Sequence, residues 1–137
     1  MDYRNHIENK SMVNTPPVFA VYVVLLTLRW LKNNGGVAAM EKHSNAKAKL
    51  MYHTLDTLPL FKPTVAKEDR SNMNAVFVIE NPALEKEFGE LCKKEGMYGV
   101  KGHRSVGGFR ISMYNALTLE SVEALVALMK DFANKKG

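Results

Sequence analysis

The chain contains very little cysteine, since Cys92 is the only one among its 137 residues. One thiol can form no internal disulfide and cannot supply the several cysteines of a structural zinc site. This usage is typical of a reducing compartment, and we expect a cytoplasmic protein. Cys92 falls within a helical pattern, which favours a buried and unreactive thiol over a nucleophile.

Signatures of several common functional sites are also missing. The four histidines are not spaced as metal ligands, so we predict no metal site. The sequence has no P-loop, no dinucleotide-binding glycine fingerprint and no serine-nucleophile elbow. In sheets that bind nucleic acid, aromatic residues are interleaved with basic ones, and this sequence lacks that pattern. A nucleic-acid-binding domain is therefore an alternative that only the net charge of +5 supports.

The longest apolar stretch, residues 18–28, is too short to span a membrane, which requires about 20 apolar residues. Thr15, followed by two prolines, is typical of an N-cap and a first helical turn, and the segment 33–36 should end the helix. A helix that is apolar on every face must be buried on every face. We expect it to pack against protein outside this chain, either a further domain or a second subunit. The alternative is a central helix within one small domain.

The order of the predicted elements indicates an α+β fold. No element is predicted for residues 1–13, and Lys47 is expected on the solvated face of the helix that follows the apolar one. The strand–helix–strand–strand–helix order after residue 74 predicts a small antiparallel sheet with helices on one face. We place a domain boundary near Gly35 and Gly36, which separates residues 1–36 from residues 37–137. The patterns predict helices at 37–56, 82–94 and from 118 onward, and strands at 61–65, 75–79, 97–101 and 109–114.

The segment Lys101–Arg110 has the composition of an anion-binding loop, with three fixed cations, one imidazole and three glycines. Glycine lets the backbone turn sharply and approach a ligand, and arginine binds carboxylate or phosphate oxygens in a bidentate manner. If the flanking strands are neighbours, Arg104 and Arg110 lie at the same end of the sheet, where they would orient a small dianion. His103 would add a donor when protonated, so that binding weakens at higher pH. The alternative is a hairpin whose charges simply face water.

Two other polar segments are candidates for weaker roles. Residues 11–17 precede the apolar helix, and their side chains either bind a phosphate beside the helix N-terminus or simply cap the helix through Thr15. Residues 70–74 lead into a strand, where a solvated loop is the ordinary interpretation and a ligand role is the alternative.

Five motifs, taken in order, closely resemble the C-terminal part of the phosphoserine aminotransferases, which are pyridoxal-phosphate enzymes of fold type I. This resemblance implies the small C-terminal domain of such an enzyme, within its three-layer α/β context, preceded by the tail of the large cofactor-binding domain. The motifs are Asn14-Thr15-Pro16-Pro17, Trp30-Leu31-Lys32 with Gly35-Gly36, Asp69-Arg70-Ser71 with Met73-Asn74, Lys101 to Arg110, and Tyr114-Asn115-Ala116.

The resemblance also implies a reaction and a set of site residues. The family transfers an amino group from glutamate to 3-phosphohydroxypyruvate in serine biosynthesis, and bacterial members can also serve the synthesis of pyridoxal phosphate. Its members are homodimers with active sites at the subunit interface. Asn14 and Thr15 match the pair that binds the cofactor phosphate of the partner subunit. Arg110 matches the arginine for the substrate α-carboxylate, and His103 and Arg104 match residues that receive the substrate phosphate.

The chain departs from the family in its chemical centre. The Schiff-base lysine, the aspartate for the pyridine nitrogen and the ring-stacking aromatic all lie upstream of the matched region. Lys10 lies near the Asn-Thr pair but outside the motif. We therefore expect a fragment without catalytic residues or covalently bound cofactor, inactive alone, that needs a missing large domain. The alternative is a stand-alone, non-catalytic module that binds a phosphate or an amino acid.

Overall fold

The computed structural model describes residues 2–103 and 105–136. The chain divides into two compact units, residues 1–38 and residues 39–137. The first unit contains helix α1 (Tyr3–Glu8) and helix α2 (Val18–Asn33).

Helix α1 lies where we predicted no element, so that prediction is wrong for six residues. The Asp2 carboxylate accepts a hydrogen bond from the backbone N–H of Arg4 at 3.0 Å. The same carboxylate pairs with the Arg4 guanidinium at 2.8 Å. Asp2 therefore satisfies one of the free donors at the helix start, which is what an N-cap does.

Helix α2 has nearly the predicted bounds but not the predicted cap. Pro17 holds the N-cap position and no side chain caps the helix, so the prediction that Thr15 does so is wrong. Both prolines precede the helix, because its first helical residue is Val18. At the other end the chain turns through Gly35, whose φ of 90° suits glycine.

The apolar side chains of α2 are exposed on all sides. No residue of this helix is buried, and Phe19 is 81% exposed. Helix α2 is therefore not the buried central helix of this chain, and its packing against other protein stays a prediction. Among the described residues, no helix is both long and apolar enough to cross a membrane.

The second unit contains a three-stranded antiparallel sheet in the order β1-β2-β3, which confirms the predicted α+β fold. Phe77 of β2 lies opposite Pro63 of β1 and Phe109 of β3. The elements are α3 (Gly36–Thr57), β1 (Lys62–Pro63), a 3-10 turn (Lys67–Asp69), β2 (Asn74–Val78), α4 (Pro82–Lys94), β3 (Phe109–Ser112) and α5 (Leu119–Lys136).

Two of the helix starts in the second unit have side-chain caps. The Asn81 side chain accepts the backbone N–H of Ala83 at 3.0 Å, at the start of α4. The Thr118 hydroxyl accepts the backbone N–H of Ser121 at 3.3 Å, at the start of α5. Asn and Thr are favoured at this position because they bind N–H groups that the helix itself leaves free.

One face of the sheet packs against the helices. Burial alternates along the strands, so that Ala75 and Phe77 of β2 and Phe109 and Ile111 of β3 are buried. They share one core with buried residues of α3, α4 and α5, which confirms that the helices cover one face. Phe88 of α4 meets Phe109 edge to face, with ring centroids 5.2 Å apart.

The predicted strand at 97–101 is wrong. This segment makes a single bridge between Lys101 and Phe109, and the backbone N–H of Arg110 donates to the carbonyl of Val100 at 2.9 Å. Gly96 and Gly99 both have φ of 75°, and such positive values break the extended conformation that a strand needs.

We predict that Phe88→Ala lowers the free energy of unfolding by about 3–5 kcal/mol, because it opens a cavity in the aromatic core. Phe88 is fully buried. Phe19→Ala is the matched control, since Phe19 is exposed and its loss should change stability by less than about 0.5 kcal/mol. Urea unfolding followed by circular dichroism measures both, and equal losses in the two variants would contradict the assigned core.

Candidate functional site

The glycine-rich segment forms a closed turn between Lys101 and Phe109. The backbone N–H of Gly102 donates to the carbonyl of Gly108 at 2.8 Å. A Cβ atom at Gly102 would collide with the carbonyl of Gly107, so no other residue fits there. Gly107 and Gly108 have φ of 75° and 64°. All three glycines are therefore required by the shape of the turn.

His103 lies at the start of this turn and is exposed. Its carbonyl accepts the backbone N–H groups of Val106 at 3.0 Å and Gly107 at 2.9 Å. Its ring nitrogen Nδ1 lies 2.7 Å from the Ser105 hydroxyl oxygen and 3.3 Å from the Ser105 backbone nitrogen. Sequence reasoning did not identify Ser105, whose role depends on the fold of the turn. The predicted phosphate residue Arg104 lies outside the described residues.

Arg110 projects from the face of the sheet opposite the core. It is exposed between buried Phe109 and Ile111, and it lies opposite Val76 in the register. Its guanidinium makes no hydrogen bond or ion pair within the described ranges 2–103 and 105–136. It lines a cavity of about 620 Å³ together with Glu95 and Ser112. The Arg110 guanidinium is thus available for a carboxylate ligand.

His103 lines a different cavity, of about 510 Å³, between the turn and α4. Lys86 and Lys101 are the ammonium groups in its lining, and three carboxylates face them. This balance of charge does not favour a dianion inside the cavity. The structure therefore puts His103 and Arg110 on one short hairpin but in the linings of separate cavities. The carboxylates belong to Glu80, Glu85 and Glu90.

Asn14 and Thr15 lie in the first unit, and both are exposed. Within the described part of the chain, neither side chain makes a hydrogen bond. Helix α2, which begins three residues after Thr15, has no side-chain cap at its N-terminus. An amide, a hydroxyl and uncapped backbone N–H groups are donors that suit a phosphate, and so they fit the phosphate of pyridoxal phosphate.

Arg70, a candidate ligand residue, is occupied by structural contacts. Its guanidinium donates to both carboxylate oxygens of Asp56, at 2.7 and 2.9 Å. It also lies 4.7 Å from the centre of the Tyr52 ring. The hydrogen bonds from Arg70, with further help from Lys67, lower the pKa of the Asp56 carboxyl. Arg70 therefore ties α3 to the loop before β2: its two terminal nitrogens are engaged with Asp56, and its Nε is buried without a hydrogen-bond partner in the described residues.

Lys47 is buried, so its predicted place on a solvated face is wrong. Its ammonium group donates to the carbonyls of Tyr114 and Leu117, both at 2.8 Å. Burial lowers the pKa of this lysine. The signal was available in the sequence, because Lys47 continues the helical stripe of Met40 and Met51 at spacings of seven and four. Lys47 holds the turn between β3 and α5 against α3.

We predict that Lys47→Met lowers the free energy of unfolding by about 1–3 kcal/mol, since it leaves two carbonyls without their donor. Lys49→Met is the control, because Lys49 is exposed on the same helix. Urea unfolding measures the free energy of unfolding of both variants. Equal stability of the wild type and the Lys47 variant would contradict the role of Lys47 in holding the turn between β3 and α5 against α3.

The same variant should also change the pH dependence of stability. Burial lowers the pKa of folded Lys47 below its ordinary value of 10.5, so the unfolded chain holds this proton to higher pH. Stability therefore rises with pH in the window between the two values, and Lys47→Met should lack this rise. Identical pH slopes in the two proteins would rule out the assigned shift.

Cys92 is fully buried on α4, and burial raises the pKa of its thiol to about 11. This confirms that the thiol is buried, and its low reactivity stays a prediction. We predict that less than about one tenth of the Cys92 thiol reacts with a disulfide reagent at about pH 8 in the native chain. In urea, where the chain is unfolded, the whole thiol equivalent should react. Rapid reaction of the native chain would contradict the burial.

Comparisons with known proteins show the family of this chain. The family model described as aminotransferase class-V matches residues 1–125. The phosphoserine aminotransferase of Flavobacterium psychrophilum is 55% identical over 135 residues, which are 98% of this chain and 38% of that protein. The enzyme of the same name from Porphyromonas gingivalis is 53% identical over 137 residues, with the same shares.

Solved structures agree as well. The phosphoserine aminotransferase of Bacillus circulans subsp. alkalophilus matches with a TM-score of 0.90 and 40% identity, over 98% of this chain and 38% of that one. The pyridoxal-phosphate-bound enzyme of Trichomonas vaginalis matches with a TM-score of 0.83 and 39% identity, over 94% of this chain and 37% of that one. The chain spans about two fifths of the length of these relatives. It belongs to the class-V aminotransferase family, as its match over residues 1–125 shows.

Proposed function

We propose that this chain is the substrate-anchoring part of a pyridoxal-phosphate-dependent phosphoserine aminotransferase. The whole enzyme transfers the amino group of glutamate to 3-phosphohydroxypyruvate in the cytoplasm, giving 2-oxoglutarate and phosphoserine for serine biosynthesis. The single observation that carries the proposal is the exposed Arg110 guanidinium, which has no partner in the described ranges and ends a glycine-rich hairpin. The 55% identity to the Flavobacterium psychrophilum enzyme supports the substrate pair.

Arg110 holds the α-carboxylate of the substrate. Both amino acids of the reaction carry this group, so one arginine can serve both halves of the transfer. The planar guanidinium donates two parallel hydrogen bonds to a carboxylate, and this fixes the orientation of the α-carbon as well as its position. The packing of Phe109 and Ile111 in the core holds the strand from which Arg110 projects.

His103 receives the phosphate of the phosphorylated substrate, and we assign Arg104 the same role from the resemblance. The three carboxylates of the cavity between the turn and α4 repel a dianion. The phosphate therefore approaches His103 from the side of the turn that faces away from α4. The side-chain carboxylate of glutamate carries one negative charge where the phosphate of phosphoserine carries about two, so this contact matters more for phosphoserine.

Asn14 and Thr15 bind the cofactor phosphate of the partner subunit in a homodimer. Their exposed amide and hydroxyl, beside the uncapped start of α2, are donors of the right kind. When bound, pyridoxal phosphate supplies the electron sink for proton removal at the α-carbon. The covalent lysine belongs to the large domain, against which α2 packs. This chain alone is therefore inactive.

A chimaera tests the assignment of the two anchors, with this chain replacing the matching 135 residues of the Flavobacterium psychrophilum enzyme. Arg110→Lys should raise the KM for both glutamate and phosphoserine by about ten-fold or more, because lysine cannot replace a bidentate fork. His103→Gln should raise the KM for phosphoserine more than the KM for glutamate.

Steady-state kinetics with each amino acid in turn gives these values. Lys49→Met, an exposed change on α3, is the control and should leave both constants unchanged. Equal effects of His103→Gln on the two amino acids would refute the phosphate role. An unchanged KM in the Arg110 variant would refute the carboxylate role.

A further inference from the structure

We propose that Ser105 is a positioning residue that sets the tautomer of His103, so that Nδ1 accepts hydrogen bonds and Nε2 carries the proton. This inference deepens the proposed function, because it rests on His103 as a phosphate contact. Nothing in the resemblance assigns a role to Ser105.

The argument starts from the two contacts at Nδ1. The backbone N–H of Ser105 points at Nδ1, with a nitrogen–nitrogen distance of 3.3 Å. A backbone N–H can only donate, so this contact calls for a lone pair at Nδ1, but at 3.3 Å it is the weaker of the two contacts. The Ser105 hydroxyl lies 2.7 Å from the same atom and is the shorter, stronger donor to the single lone pair that the two contacts share. A neutral imidazole that accepts at Nδ1 carries its proton on Nε2.

The turn holds Ser105 in place for this role. The His103 carbonyl accepts two backbone N–H groups, from Val106 at 3.0 Å and from Gly107 at 2.9 Å. These two bonds turn the chain back on itself after His103, so that Ser105 lies close to the His103 ring. The Gly102–Gly108 hydrogen bond closes the turn below. Ser105 is therefore positioned by the backbone, and its short side chain reaches Nδ1 without rearrangement.

The consequence for a ligand lies at the other side of the ring. With Nδ1 occupied from within the turn, Nε2–H points outward as a fixed donor. A phosphate oxygen only accepts hydrogen bonds, so it requires this tautomer or the protonated ring. Ser105 thus lets a neutral His103 bind a phosphate monoester, where the opposite tautomer would face the anion with a lone pair. This arrangement therefore selects a ligand that carries a phosphate or phosphonate group.

The direct test is the tautomer itself, measured in the chain labelled with 15N at histidine. Two-dimensional 15N–1H spectra at about pH 8.5, where histidine is neutral, distinguish the two ring nitrogens. We expect His103 to show Nε2 protonated in the wild type. Ser105→Ala should raise the fraction with Nδ1 protonated, and Ser105→Thr, which keeps the hydroxyl, should restore the wild-type pattern. His53 is the internal control, because it is exposed on α3 and should not change.

The same variants in the chimaera separate this inference from the proposed function. Ser105→Ala should raise the KM for phosphoserine about five-fold, the effect of one misdirected hydrogen bond, and raise the KM for glutamate less. An equal tautomer mixture in the wild type, or no tautomer change in Ser105→Ala, overturns the role of Ser105. A tautomer change without an effect on KM supports the role of Ser105 and instead refutes His103 as the phosphate contact.

Discussion

The packing of Phe109 between two other aromatic rings determines where the candidate site lies. Its ring stacks on Phe77 and meets Phe88 edge to face, with both centroid distances at 5.2 Å. Successive residues of a strand point to opposite faces, so burying Phe109 places Arg110 on the open face. A slip of one residue in register would bury the arginine and expose the phenylalanine. The same residue also ends the glycine turn, because its backbone forms a β-bridge with that of Lys101.

Four basic residues of the second unit fall into two groups according to what they contact. Lys47 and Arg70 are enclosed and bonded to oxygen atoms of the chain itself, so they stabilise the fold. Arg110 and His103 are exposed, and His103 uses only its inner ring nitrogen within the turn. A ligand that carries a carboxylate at one end and a phosphate at the other needs donors of the second kind. Composition alone does not separate these two groups, because both are simply basic residues.

Periodicity and capping predicted much of the second unit. The helices α3, α4 and α5, the strand β2 and the caps Asn81 and Thr118 follow from local patterns. The prediction for 97–101 was wrong because Gly99 within it and Gly96 just before it adopt positive φ, which a pattern of residue types does not reveal. Helix α1 was missed because a short helix depends on one cap and has no apolar stripe.

The candidate site was less predictable than the fold. The glycines and the basic residues of the hairpin signal an anion, but the roles of Asn14, Thr15, His103 and Arg110 come from the resemblance and stay predictions. The role of Arg104 also comes from the resemblance, and this residue lies outside the described residues. Ser105 required the structure, since its contact with His103 exists only after the turn has closed. Lys47 required only a stricter use of helical spacing.

The most direct measurement of the central claim is the visible absorption of the purified chain mixed with pyridoxal phosphate, before and after glutamate is added. In the proposed function, the chain supplies substrate anchors and the large domain supplies the chemical centre. The account therefore predicts no glutamate-dependent change in the cofactor band. A rapid loss of that band on adding glutamate would mean that a lysine of this chain performs the amino-group transfer, and this would contradict the account.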